Sequence, residues 1–198
     1  MPDILRLMIK YKNPCTISTK SDLILRDYDL LAELSSLTYV SIAGTITCMD
    51  ESIRRKIEPN GAPSLRRFAM LKEFSKTNAA TGLHFMPIIP YLTDTRDNID
   101  VILSNAKDSG VDYVIPSILN HRGQTRRAFF DFVRAEYSEL CKPLSDLYKS
   151  GGADKEFTRT LYSLVNELRT KNNLSLNYTA IMKEKIKHTE NVQLSLFD

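Results

Sequence analysis

The sequence predicts an α/β protein built on a parallel sheet: an incomplete, partial TIM-type (β/α) barrel followed by C-terminal helices and a flexible tail. Three observations predict it. Short β-branched or apolar runs alternate with helical patterns, giving about four strand–helix units in the first 120 residues. The segments between the runs are long enough for parallel crossovers. The run Thr38–Thr47, TYVSIAGTIT, carries apolar or small residues on both faces, as a strand covered on two sides does. Right-handed crossovers would curl such units toward a barrel, but four do not close one.

In order, Pro2 to Lys12 has Ile4, Leu5, Leu7, Met8 and Ile9 near helical spacing, and Pro14 ends the pattern. Cys15–Thr19, CTIST, is the first strand, and it stops at Lys20-Ser21-Asp22. Asp22 or Asp27 is placed to cap the next helix, which carries Leu30, Leu31 and Leu34 on one face. After the second strand, Asp50 caps a short helix to Ile57, with Glu51 in its first turn. Glu58-Pro59-Asn60-Gly61-Ala62-Pro63-Ser64 reads as a loop, and Pro63 suits the start of a helix to about Thr77. Thr81–Pro90 is the third strand, with Pro87 marking a strand end or bulge. Thr93 or Asp94 caps a helix that Gly110 stops, and Val111–Ile118 is the fourth strand.

Beyond Ile118 the pattern turns helical. The expected organisation is a barrel portion over 1–120, a helical extension over 121–172 and a polar, weakly patterned tail over 173–198.

A hydrophobic fraction of 42% and a charged fraction of 26% suit a globular protein with a real core. A net charge of +3 and a pI near 8.7 are too mild to argue for nucleic acid. No stretch approaches a membrane span and no secretory signal is visible, so a cytoplasmic protein is the default. Cys15, Cys48 and Cys141 are far apart and show no metal spacing, which favours reduced thiols and no metal site.

Lys20, at a strand end, is a compact cation able to hold a carboxylate; Ser21 adds a hydroxyl, and the following helix adds free N–H groups. The alternative is a solvated lysine beside a helix cap. Glu58 at the same edge suits a ribose hydroxyl or an ammonium group, or is simply a surface glutamate. Arg66 or Arg67 is placed to pair with Glu58 or with a ligand carboxylate. Arg122, Arg126 and Arg127 are candidates for phosphate contact, with solvated helix-start arginines as the alternative.

In order and spacing, Thr19-Lys20-Ser21, Arg26-Asp27, Glu58-Pro59 with Ala62-Pro63-Ser64 and Arg67, and Pro87-Ile88-Ile89-Pro90 with Asp94 form one combination. It resembles the radical S-adenosylmethionine proteins related to spore photoproduct lyase, over about residues 1–150. The resemblance implies a partial (β/α)6 barrel that binds S-adenosyl-L-methionine and a 4Fe-4S cluster. In the family, reductive cleavage of the bound S-adenosylmethionine gives methionine and a 5′-deoxyadenosyl radical. It further implies that Lys20 contacts the methionyl carboxylate with Ser21 beside it. Ser41 and Thr45 would line the barrel, Glu58 and Arg67 would support the cofactor, and Pro87 would lie beside the adenine. Two departures stand out. The family's C-x-x-x-C-x-x-C motif is absent, so a cluster-binding N-terminal half is an expected partner. Tyr91 stands where the family has glycine. DNA is a further expected partner, from the family's link to repair.

Gln193-Leu194-Ser195-Leu196-Phe197 looks like the pentapeptide by which bacterial repair and replication proteins dock on the DNA sliding clamp. Leu194, Leu196 and Phe197 would fill apolar pockets, with Gln193 as a polar anchor. Packing of this segment on its own domain is the alternative.

Overall fold

The computed structural model describes residues 1–187. Ten residues with a strong apolar face form α1, Pro2–Tyr11, which places Leu5 in the core. β1, Cys15–Thr19, follows. The expected capping by Asp22 or Asp27 is replaced by a different start. Ser21 Oγ accepts the Leu23 N–H at 3.2 Å and opens a 3-10 turn, Asp22–Asp27. Asp27 makes no cap hydrogen bond; it is buried and pairs with Arg26 at 3.1 Å. α2, Tyr28–Leu37, and β2, Val40–Thr45, come next, and every residue of β2 is buried.

Asp50 caps α3, Glu51–Ile57, as its position predicts, accepting the Ser52 and Ile53 N–H groups. Pro63 precedes α4, Ser64–Phe74, which ends before Thr77. β3, Ala80–Ile88, pairs irregularly with its neighbour between Phe85 and Ile88, where Pro87 has no N–H to give the ladder. α5, Arg96–Asp108, is capped by Thr95 rather than Thr93 or Asp94. Thr93 is drawn away because its hydroxyl accepts the Ile89 N–H at 2.8 Å. β4 is Tyr113–Ile118.

The four strands lie in the order β1-β2-β3-β4, all parallel. The protein is therefore α/β, with a parallel sheet flanked by helices. One face of the sheet is apolar. Val40, Ile42, Leu83, Phe85 and Val114 pack there under α1, α2, α4 and α5. The other face carries Ser18, Ser41, Thr45, Gly82, His84 and Tyr113, as the period-two alternation requires.

After β4, α6 (Gly123–Glu136) and α7 (Cys141–Leu147) build a second apolar cluster around Val133, Leu144, Leu147 and Tyr148. α8, Lys155–Lys171, returns to the main core with Leu161, Val165 and Leu168. The chain then makes a parallel bridge from Ser175 to Tyr113. The weakly patterned stretch read as polar tail is ordered here as α9, Tyr178–Lys187, which packs on β3 and β4 with Tyr178 against the Tyr113 ring. Its helix is held by this tertiary contact rather than by a strong apolar stripe. Gln193–Phe197 lies outside the described residues.

Candidate functional site at the C-terminal sheet edge

Lys20 leaves the end of β1 and meets the loop between α3 and α4. Its Nζ donates to Glu58 Oε1 at 2.6 Å. The second carboxylate oxygen, Oε2, accepts from Arg67 Nη1 at 2.6 Å. Arg67 is fully buried, Glu58 is 8% exposed, and Lys20 is 46% exposed. Glu58 thus spans a buried cation and an accessible one. Two cations share one carboxylate, so the trio keeps a net positive charge with Lys20 as its open end.

The loop that presents Glu58 is pinned at many points. Arg67 also donates from Nε to Ala62 O and from Nη1 to Thr45 O, both at 2.7 Å. This ties α4 to the end of β2. Arg54 donates to the Glu58 and Gly61 carbonyls at 2.7 and 2.9 Å. Its Nε meets Glu51 Oε2, while Glu51 Oε1 accepts the Ser64 N–H. Burial alone would raise the Glu51 pKa. The Ser64 N–H and the Arg54 guanidinium outweigh it and hold the carboxyl below its ordinary value. The Ala62 N–H donates to the Lys20 carbonyl at 2.9 Å, so the loop is fixed directly to the lysine's own backbone. A Cβ at Gly61 would lie 3.2 Å from Arg67 Cζ and overlap Nη2, so a side chain here would displace the guanidinium that holds Glu58. A cleft of about 300 Å³ opens beside Lys20, Ile57, Glu58 and Gly61.

Of the two candidate arginines, Arg67 takes Glu58, and Arg66 instead pairs with Asp22 at 2.6 Å. Thr45 joins the cluster through its carbonyl. Its hydroxyl lies 3.4 Å from Ser18, whose own hydroxyl is 2.9 Å from His84 Nδ1. Burial lowers the His84 pKa, so the ring is neutral at neutral pH. Ser21 serves the 3-10 turn. Ser41 sits at the opposite end of β2, hydrogen bonded to Tyr113 Oη at 2.9 Å. Pro87 stands near the end of β3, at the irregularity in its pairing.

Sequence reasoning missed Arg54, Gly61, Ser18 and His84. For His84 a signal existed: alternation along Gly82-Leu83-His84-Phe85 puts it on the face opposite Leu83 and Phe85. For Arg54 none did, because a short helix with three basic residues reads as solvated.

Among the described residues, no group of three or more His, Cys, Asp or Glu side chains is placed to hold a metal ion. Cys15 lies on β1, Cys48 beyond β2 and Cys141 on α7. Burial pushes the Cys48 thiol up to about 11, so it is protonated at neutral pH. No helix among the described residues is long and apolar enough to cross a membrane.

No family model matches the chain. Among curated proteins it is similar to an uncharacterised protein of Mycobacterium tuberculosis, 27% identical over 151 residues, covering 76% of this chain and 44% of that protein. An uncharacterised protein of Acidianus two-tailed virus is 27% identical over 161 residues, 80% of this chain and 48% of the relative. One from Methanocaldococcus jannaschii is 26% identical over 156 residues, 79% and 54% respectively. The chain spans about half the length of the curated relatives it matches.

Proposed function

We propose that this chain is the S-adenosylmethionine-binding portion of a radical S-adenosylmethionine protein similar to spore photoproduct lyase. The observation that carries the reading is the Lys20–Glu58–Arg67 cluster at the C-terminal edge of a parallel sheet, where such folds bind ligands. The methionyl carboxylate would be drawn by the excess positive charge and held by Lys20. Glu58, kept in place by Arg67, would orient the lysine or accept from the methionyl ammonium.

In this reading the four strands are part of a (β/α) barrel whose remaining strands lie beyond β1, and the face with Ser18, Thr45 and His84 lines its interior. Three observations support it. Among the described residues β1 pairs on one side only, with β2. α1, the helix that leads into β1, exposes Ile4, Leu7 and Tyr11. The curated relatives are about twice as long as the matched region. The residues of this chain do not fit a 4Fe-4S cluster, since its three cysteines lie on separate elements. The cluster would belong to a complementary segment.

Equilibrium dialysis against labelled S-adenosylmethionine tests the proposal. Saturable binding is expected, weakened at least tenfold in Lys20→Ala and partly retained in Lys20→Arg. Anaerobic iron–sulfur reconstitution of the same chain is expected to leave no cluster absorbance. Equal uptake by the native protein and Lys20→Ala would sink the carboxylate assignment.

A second proposal is independent of the first and rests on the sequence alone. Gln193–Phe197 docks the chain on a bacterial sliding clamp. A peptide of residues 188–198 is expected to bind purified clamp, and the Leu196→Ala, Phe197→Ala double variant to lose binding. Failure of both peptides to bind would remove the clamp from the list of partners.

A further inference from the structure

A second built site lies at the exit of β4, away from Lys20. His121 is 1% exposed. Its ring packs against Tyr148, Phe129 and Phe130, with centroids 4.4, 5.2 and 5.6 Å away. Nδ1 faces Arg126 Nη1 at 3.5 Å. A guanidinium only donates, so in the tautomer that accepts from Arg126 at Nδ1 the ring proton sits on Nε2. Nε2 is buried and has no partner. A buried N–H without an acceptor is costly to the fold, and such groups are rare.

His121 lines a cleft of about 510 Å³ that is otherwise basic. Arg122, Arg126 and Lys149 line it, and no acidic residue does. Among the described residues none of these three cations is in an ion pair; besides His121 Nδ1, Arg126 meets the Phe130 ring and the Tyr148 carbonyl. α6 starts at this cleft, runs for 14 residues, and has no side-chain cap at Arg122. Its first-turn N–H groups and the positive end of its dipole are therefore unclaimed. Gly123 and Gly151 have φ of 55° and 92°, and nothing lies within 4 Å of where their Cβ atoms would be, so the wall is bare on both sides.

We propose that this cleft binds the phosphoryl group of a phosphate ester. The anion would sit on the α6 N-terminus between Arg122, Arg126 and Lys149, and a small shift of the ring cage would let one oxygen accept the His121 Nε2–H. That contact gives the orphaned donor its partner. It also explains why an uncapped helix start, three unpaired cations and a buried imidazole converge at one place. A volume of about 510 Å³ exceeds what bare phosphate needs, which leaves room for the group esterified to it. The site shares no residue with the Lys20 cluster and stands whether or not that cluster binds S-adenosylmethionine.

The test uses the full chain at fixed ionic strength, with thermal unfolding and calorimetric titration as readouts. The probes are inorganic phosphate, adenosine monophosphate and a short single-stranded DNA. His121→Phe keeps the ring packing and removes the donor; Arg122→Gln with Lys149→Gln removes charge at exposed positions. Native protein is expected to bind at least one probe and to unfold at higher temperature in its presence. His121→Phe is expected to fold with unchanged or raised stability, yet to bind at least fivefold more weakly, and the double variant at least tenfold more weakly. Binding of the monophosphate but not the DNA assigns a small phosphoester. Binding of DNA with the same losses in the same variants assigns a backbone phosphate. No binding by any probe at millimolar concentration, or binding that His121→Phe leaves unchanged, overturns the proposal.

Discussion

Replacing Arg67 by methionine is expected to lower the free energy of unfolding by about 3–5 kcal/mol, the range for breaking a buried ion pair from one side. The residue is fully buried, so the loss is not screened by solvent. Its removal strands the Thr45 and Ala62 carbonyls. Among the described residues it also leaves the Glu58 carboxylate paired with Lys20 alone, and Lys20 is half in water. Urea unfolding should show a lower midpoint at an unchanged slope. Arg67→Lys keeps the charge but cannot span both carbonyls and the carboxylate at once, so it should fall between the two. In the Arg67→Met, Glu58→Gln double variant part of the loss should return, because no buried charge then lacks its partner. A change under about 1 kcal/mol in Arg67→Met would mean that the loop around Glu58 is held without it.

Gly82→Ala is expected to cost about 1–3 kcal/mol, the range for overpacking a filled interior. Gly82 is buried in β3, between the paired strands β2 and β4. A Cβ there would lie 2.5 Å from Cε2 and the hydroxyl of Tyr113, and closer still to Cζ. The ring has little freedom to withdraw, since Ser41 holds its hydroxyl and the tilted Tyr178 ring lies beside it, centroids 6.2 Å apart. Tyr113→Phe removes only the hydroxyl, so it should rescue little. Tyr113→Val in the Gly82→Ala background should recover most of the loss relative to Tyr113→Val alone, measured as a double-mutant cycle. Equal costs of Gly82→Ala in both backgrounds would show that the ring is not what the methyl group meets.

What was legible in the sequence was local. Asp50 before a helical run, Pro63 before another and Pro87 within a strand each act on their own neighbours, and each appears where its chemistry predicts. The all-buried β2 was legible because both of its alternating sets are apolar or small. Caps were less so: Thr93, Asp94 and Thr95 are equivalent on paper, and only the Ile89 N–H decides which is occupied elsewhere. α9 was hidden because its stability comes from Tyr113, far away in sequence. For the candidate site, the residue types at the sheet edge were visible, but Glu58 meets Lys20 across 38 positions and no periodicity encodes that meeting. The orphaned His121 nitrogen was invisible for the same reason: four aromatic or basic neighbours from two elements create it.

The two edges of the sheet are unequal, and this sets how copies of the chain can associate. β4 is met at its start by Ser175, whose carbonyl takes the Val114 N–H at 2.8 Å. Among the described residues β1 has no such guard, and Thr16 and Ser18 stand exposed along it. A strand can therefore be added on one side far more readily than on the other. Two copies meeting through their β1 edges would pair antiparallel about a two-fold axis, and each would use up the other's open edge. Association through the sheet then stops at a closed pair, whereas a sheet open on both sides would propagate into a filament.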